Sequence, residues 1–139
     1  MKARDLKFED IKIGESASFS HMITEQDVSD FARLSGDLNP LHTDEEYART
    51  TRFGKRIVHG MFLGALCSRL VGMYIPGKHC LYVSQELRFK NPALIGDLVV
   101  VRGEVVAQSE STRILDIMIK ISKDTMILAD GLAKVQIII

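Results

Sequence analysis

The second half of the chain alternates apolar and polar residues with a period of two, which is typical of β-strands with one buried face. Positions 115, 117, 119 and 121 are all Leu or Ile, while Asp116 and Lys120 fall on the opposite face. Turn-forming pairs such as Asn91-Pro92 and Gly96-Asp97 separate the alternating segments. Because short connections favour antiparallel neighbours, we predict an antiparallel sheet from strands at residues 81–89, 98–106, 114–121 and 127–139.

The first half of the chain combines one strand with helices. Residues 16–23 alternate and predict a strand. Thr24 and Asp27 have the spacing of a capping box, with Asp where Glu is usual, and apolar residues then recur at helical spacing at positions 28, 31, 32 and 34. Gly36 is suited to end this helix. Thr43 and Asp44 are suited to cap a short helix at residues 45–49.

The segment 57–73 is apolar nearly all round, which predicts a buried helix. It also contains Gly60 and Gly64, although a glycine inside a helix costs about 1 kcal/mol relative to alanine. Close approach by another backbone would compensate for that cost. We therefore predict an α+β fold in which one long antiparallel sheet wraps around a central buried helix.

Composition excludes several classes of function. The formal net charge is zero and no basic stripe is present, so nucleic acid is not an expected partner. No apolar run approaches the ~20 residues of a membrane span. The histidines and the two cysteines lack the spacing of a zinc site, so we expect no metal. A charged start in place of an apolar signal segment, together with free thiols, indicates a cytoplasmic protein.

The segment 36–42 places a carboxylate, Asp37, and an imidazole, His42, five residues apart across a turn that contains Asn39 and Pro40. A turn can direct both side chains into one cleft, and His and Asp can exchange protons with water near neutral pH. No serine or cysteine is placed beside them as a nucleophile. The alternative is purely structural, since Asp and Asn in such turns often cap their own backbone.

His59, Gly60 and Met61 open the predicted central helix. The first turn of a helix has free backbone N–H groups and the positive end of the helix dipole. Gly60 would let a ligand oxygen approach that backbone, and an oxygen gaining negative charge would be stabilised there. The structural alternatives are a buried His59 bonded to a carbonyl oxygen and a Gly60 required only for packing.

Residues 33–44 (RLSGDLNPLHTD) and 52–61 (RFGKRIVHGM) resemble the two halves of the signature of MaoC-like (R)-specific enoyl-CoA hydratases. The likeness extends to residues 82–91 and more weakly to the remaining strands. This family has the hot-dog fold. The resemblance therefore implies a single MaoC-like hot-dog domain over residues 1–139.

The resemblance also implies roles for individual residues. Asp37 and His42 would activate the water that adds to a trans-2-enoyl-CoA, which makes the protein a lyase that yields the (R)-3-hydroxyacyl-CoA. The Gly60 N–H would hold the thioester oxygen as it becomes enolate-like. Asn39 would shape the turn. The positions expected to contact substrate are Asn39, His59, Met61 and Ser68, although Ser68 could instead bond back to its own helix.

The family further implies that no cofactor is needed, CoA being the carrier of the substrate. One hot-dog unit in the chain implies a homodimer. The apolar end of the chain, residues 135–139, could be an exposed sheet edge, but its alternation favours an inner strand of the chain's own sheet.

Other functions remain open from the sequence. The same reaction run in reverse on an acyl carrier protein would make this a 3-hydroxyacyl-[acyl-carrier-protein] dehydratase. A hot-dog acyl-thioester hydrolase would usually place its acid on the central helix, and residues 62–73 contain no Asp or Glu. A non-catalytic acyl-thioester-binding module is the third alternative.

Overall fold

The computed structural model describes residues 1–139 and contains an antiparallel sheet with helices packed against it. The helices are α1 (Glu25–Ser35), α2 (Pro40–Thr43), α3 (Glu45–Arg49) and α4 (Gly60–Arg69), the last continuing into a π-helical turn over Leu70–Tyr74. The strands are β1 (Ser16–Met22), β2 (Cys80–Gln85), β3 (Arg88–Phe89), β4 (Leu98–Ser109), β5 (Ile114–Lys123) and β6 (Met126–Ile137). The predicted α+β class is confirmed, and so are the predicted strands except the one at 81–89, which is two strands.

The sheet has the order β1-β4-β5-β6-β2, and β3 also pairs with β6. Every pairing is antiparallel, as predicted. The final strand, β6, lies between β5 and β2, which confirms the interpretation of the C-terminal segment as an inner strand. The edge of the sheet on this side is β2.

The predicted strand at 81–89 is split into β2 and β3 by a crossing over Gly131. Gln85 pairs with Ala133 and Arg88 pairs with Asp130, so the two residues between them pass over Gly131. A Cβ atom on Gly131 would collide with the backbone carbonyl of Glu86. The bend in this strand therefore depends on a glycine in the strand opposite, which a period-two pattern does not reveal.

Helix α1 follows its local sequence signals closely. The Thr24 hydroxyl accepts a hydrogen bond from the Asp27 N–H at 3.1 Å, and the Asp27 carboxylate accepts one from the Thr24 N–H at 2.9 Å. Gly36 ends the helix in the left-handed conformation, with φ of 76°. The predicted capping box and C-cap are both confirmed, and they fix where the chain leaves α1 for the turn that follows.

Helix α4 lies centrally against the sheet, but it begins at Gly60, three residues later than predicted. Val58 lies outside the helix, and its N–H bonds to the carbonyl of Ala93 at 2.8 Å. Burial is confined to one face of the helix, formed by Phe62, Leu63, Leu66 and Cys67. The opposite face exposes Met61, Ala65 and Ser68, so the expectation of a helix buried all round is wrong for the single chain.

Close approach between helix and sheet is made possible by a glycine on the sheet. A Cβ on Gly103 of β4 would lie 2.6 Å from Cδ2 of Leu70, so this glycine makes room for the end of the central helix. A Cβ on Gly64 would meet only Met61 of the same helix. The expectation that the helix glycines admit another backbone is therefore wrong within one chain. None of the helices is both long and apolar enough to cross a membrane.

Candidate active site

The connection from α1 to α3 forms a compact turn that is held by its own polar side chains. The Asp37 carboxylate accepts a hydrogen bond from the Asn39 N–H at 3.2 Å. The Asn39 side chain caps α2 by accepting from the Leu41 N–H at 2.9 Å, and Pro40 occupies the first helical position. The structural interpretation of Asp37 and Asn39 is thus correct, and it leaves the second carboxylate oxygen of Asp37 free for chemistry.

His42 is held by the segment that leads into α4. Its Nδ1 donates a hydrogen bond to the carbonyl oxygen of Ile57 at 2.8 Å. The Ile57 N–H in turn donates to the carbonyl of Leu41 at 3.3 Å. Because a carbonyl oxygen can only accept, Nδ1 carries a proton, which leaves Nε2 as the ring nitrogen available to exchange a proton with water. His42 is therefore oriented as a proton acceptor.

His59 lies between the two predicted catalytic side chains. Its Nε2 donates to the backbone carbonyl of Asp37 at 2.9 Å, and its ring stacks on that of His42 with centroids 4.0 Å apart. Only 1% of His59 is exposed. The Asp37 Oδ2 atom lies 4.0 Å from His59 Nε2, so the acid and the imidazole five residues apart are brought together around a third residue. The alternative interpretation of His59 as a buried histidine bonded to a carbonyl is correct.

Asp37, His42 and His59 form the kind of cluster that could hold a metal ion, since one ligand atom from each lies within 4.8 Å of the others. Spacing along the sequence did not predict it. In each imidazole, however, one nitrogen is already committed to a backbone carbonyl. These hydrogen bonds orient both rings and leave the other nitrogen of each ring without a hydrogen-bond partner in the protein.

A cavity of about 270 Å³ opens beside His42 and Gly60. Its walls are mainly apolar, and they are formed by the loop before α4, the first turn of α4 and the segment after β3 (Arg52, Phe53, Ile57, Val58, Leu63, Phe89, Lys90, Asn91, Pro92 and Ala93). Gly60 is the first residue of α4, so its N–H has no partner within the helix. His42 and Gly60, whose backbone N–H is free, therefore line the same cavity.

The remaining predicted site residues lie around this cavity without lining it. Asp37 is half exposed, with 50% of its side chain accessible, and Asn39 is exposed. His59 is buried behind His42. Met61, which is 63% exposed, and Ser68 lie on the outer face of α4, away from the cavity of this chain. Ser68 forms no hydrogen bond with its own helix.

A larger cavity of about 470 Å³ lies on the outer side of the same turn. It is bordered by α1 and touches Gly36, Leu38 and Thr43, but neither proposed catalytic side chain lines it. His42 and Gly60 line only the smaller cavity, so we assign the chemistry to that one.

Two residues near the site were not anticipated from the sequence. The ring of Phe89 covers Gly60, and a Cβ added there would lie 3.2–3.3 Å from it. The guanidinium of Arg56 bonds both carboxylate oxygens of Glu25, at 2.6 and 2.8 Å, and donates to the His42 carbonyl at 3.4 Å. Hydrogen bonding to Glu25 raises the pKa of Arg56. Nothing in the local pattern distinguishes Arg56 from its exposed neighbour Lys55.

These features define a class of protein: a hot-dog domain with an acid and an imidazole at the amino end of its central helix. Residues 9–125 match the family model described as "MaoC like domain". The chain belongs to this family, and the predicted resemblance and hot-dog fold are confirmed.

The chain is similar along much of its length to several named proteins. It is 49% identical to an (R)-specific enoyl-CoA hydratase of Rhodospirillum rubrum, over 71% of each protein. It is 37% identical to a 3-hydroxybutyryl-CoA dehydratase of Methylorubrum extorquens, over 96% of this chain and 85% of the relative. The solved (R)-hydratase from A. caviae, described as involved in PHA biosynthesis, superposes with a TM-score of 0.89 at 38% identity, covering 93% of this chain and 98% of that one.

Proposed function

We propose that this protein catalyses the reversible hydration of trans-2-enoyl-CoA to (R)-3-hydroxyacyl-CoA, as a lyase. The observation that carries the proposal is the convergence of Asp37 and His42 around His59, beside the free N–H of Gly60 and an apolar cavity. The names of its relatives from R. rubrum and M. extorquens, a hydratase and a dehydratase of CoA thioesters, support the same reaction in its two directions.

The proposed mechanism assigns one requirement of hydration to each group. Asp37 and the free Nε2 of His42 hold a water molecule, and one of them accepts its proton as the oxygen bonds to C3. The π electrons of the substrate move to the thioester oxygen, which the Gly60 N–H stabilises. When this enolate collapses, C2 takes up a proton from the protonated dyad. The sum is the addition of one water, with the enzyme returned to its starting state.

Crotonyl-CoA provides the direct test. Hydration removes the enone absorbance of the substrate, and chiral analysis of the product tests the (R) assignment. No loss of absorbance with crotonyl-CoA or with enoyl-CoAs of up to twelve carbons would overturn the proposal. An (S) product would overturn the stereochemical part alone.

Carrier and reaction class need separate assays, because a dehydratase acting on acyl carrier protein would use the same groups. Comparing kcat/KM for crotonyl-CoA and crotonyl-acyl carrier protein discriminates between them. A thioester hydrolase would instead release free thiol, which a thiol reagent detects. Helix α4 carries no acidic residue, which disfavours a thioester hydrolase.

We also propose that the chain acts as one domain and pairs with a second copy along β2. This strand is an edge of the sheet, and two of its apolar residues are largely exposed, Leu81 at 54% and Val83 at 50%. An unpaired apolar edge is a template for strand addition. Light scattering should give twice the chain mass. Val83→Lys should shift the protein to monomer. Val106→Lys, at an exposed position of the inner strand β4, is the control and should leave the dimer intact. A monomeric parent protein would overturn this part.

No cofactor or metal enters the proposed reaction, since the dyad and the helix end supply the proton transfers and the stabilised oxygen. Dialysis against a chelator should therefore leave the activity unchanged. Both cysteines are free thiols, and we propose a cytoplasmic location on that ground.

A further inference from the structure

We propose that His59 is a positioning residue that holds Asp37 and His42 in their positions relative to each other. This inference rests on the proposed function. It replaces the expectation that His59 contacts substrate. Only 1% of the residue is exposed, and its side chain does not line the cavity beside Gly60. Any effect of His59 on the reaction must therefore pass through its neighbours.

Two independent contacts connect His59 to the pair. Its Nε2 donates a hydrogen bond of 2.9 Å to the carbonyl oxygen of Asp37, which fixes the peptide from which the carboxylate projects. Its ring lies 4.0 Å from the ring of His42, with an interplanar angle of 30°. One side chain thus contacts both partners, although it lies 22 residues from Asp37 in the sequence.

Packing alone does not explain a histidine here. Its Nδ1 is buried and has no hydrogen-bond partner. An unpaired buried nitrogen is unfavourable, and an apolar ring of similar size would avoid that penalty. The ring of Phe31 lies 5.0 Å from that of His59, and an aromatic contact of this kind does not require an imidazole. The feature that only the imidazole supplies is the N–H directed at Asp37.

His59 also connects the pair to the proposed oxyanion site. It is the N-cap residue of α4, and its carbonyl accepts the Phe62 N–H at 3.0 Å. The next residue is Gly60. Movement of the His59 backbone would therefore displace the Gly60 N–H, whereas movement of its side chain would displace Asp37 and His42. This geometry predicts that loss of the side-chain bond impairs the chemical step more than the binding of substrate.

The test compares three substitutions of His59 that differ in whether the new side chain can donate a hydrogen bond to Asp37. His59→Gln keeps a donor at a distance similar to that of Nε2, His59→Asn keeps a donor that is too short to reach Asp37, and His59→Phe keeps only the ring. Since a displacement of about 1 Å at reacting groups can cost ~10²-fold in rate, we expect kcat to fall ~10–10²-fold in the Phe and Asn variants. We expect KM for crotonyl-CoA to change little, and the Gln variant to recover most of kcat.

Phe31→Leu is the matched control, because it loosens packing against the His59 ring without removing the hydrogen bond. It should lower the unfolding temperature while leaving kcat close to that of the parent. An unchanged kcat in His59→Phe would overturn the inference, as would a Gln variant as impaired as the Asn variant. If His59→Phe does not fold, the Gln and Asn pair decides the question. A parent protein that hydrates no enoyl-CoA would instead overturn the proposed function itself.

Discussion

The sheet core and the turn at residues 36–43 are held in shape by different interactions. In β5, Leu115, Ile117, Ile119 and Ile121 are each 0% exposed, and neighbouring strands pair on both sides. The turn instead exposes residues 36–40, and its shape depends on a few side-chain hydrogen bonds. Stability is thus concentrated in one region and the proposed chemistry in another. A protein arranged in this way can lose either property with limited loss of the other.

The two regions are connected at only a few points. The segment 56–59 donates to the turn through Arg56, Ile57 and His59, and it continues directly into α4, which packs on the sheet. This segment joins the core to a turn whose own residues are mostly exposed, and its hydrogen bonds hold the turn in place. Substitutions in the turn, the core and the connecting segment should therefore have different signatures.

The largest effect on rate is expected in the turn. Asp37→Asn or His42→Ala should reduce kcat/KM for crotonyl-CoA by ~10²–10⁴-fold, because each removes a proposed proton-transfer group. The midpoint of chemical unfolding should remain close to that of the parent, since neither side chain contributes to the core. Leu38→Ala, at a neighbouring position that is 67% exposed, is the matched control and should retain activity.

Activity within a factor of two or three of the parent in both dyad variants would remove the turn from the mechanism. Loss of activity together with loss of folding would mean that the turn and the core are not separable, contrary to the comparison above.

The converse experiment weakens the core. Leu70 is 0% exposed and lies against Gly103 of β4. Leu70→Ala should reduce the free energy of unfolding by ~2–5 kcal/mol through lost burial and the cavity that remains. Urea unfolding measures that change, and kcat at a temperature where the variant is folded should remain near the parent value. A large loss of kcat in the folded variant would show that core packing tunes the dyad directly.

The difference between the two regions also explains what could be predicted from the sequence. The alternation in β4, β5 and β6 and the capping signals of α1 are local patterns, and they gave the strands and the helix ends correctly. The crossing of residues 86–87 over Gly131 depends on a partner strand more than forty positions away, so no local pattern contains it.

The site shows the same division. The motif positions Asp37, His42 and Gly60 could be selected by residue type and spacing. The stacking of His59 on His42 and the bond from Arg56 to Glu25 are tertiary contacts between residues separated by 17 and 31 positions. The one-sided burial of α4 was missed because an apolar composition does not specify which side of a helix meets the sheet.

Gly60→Ala examines the contact between the helix end and the cavity. The added Cβ would lie 3.2–3.3 Å from the Phe89 ring, so the ring or the helix start must shift by a few tenths of an ångström. A shift of that size at a group that stabilises developing charge should reduce kcat by roughly tenfold. Combining it with Phe89→Leu should restore part of the loss. An unchanged kcat in Gly60→Ala would argue against a role for this N–H.

The smallest effect is expected at the ion pair that supports the connecting segment, and pH should reveal it. The hydrogen bond from Arg56 holds the pKa of Glu25 below its ordinary value of 4.5. A carboxyl group whose pKa is lowered by folding stabilises the protein above the pKa of the unfolded chain, and this contribution is lost as the pH falls through the lowered value. Because 62% of the Glu25 side chain is exposed, the pair should contribute at most ~1 kcal/mol.

Glu25→Gln should therefore lower the unfolding midpoint slightly at pH 7, and the difference from the parent should shrink once the pH falls below 4.5 and disappear below the lowered pKa of Glu25. Glu45→Gln is the matched control, since its contact with the same guanidinium is longer, at 3.3 Å, and its effect should be smaller. Equal effects of the two variants, or a difference that persists in acid, would mean that Arg56 is held by something other than its bond to Glu25. The small size of this effect follows from the exposure of Glu25: an ion pair with one exposed partner contributes little to stability, so its loss should change the geometry of the site more than the stability of the fold.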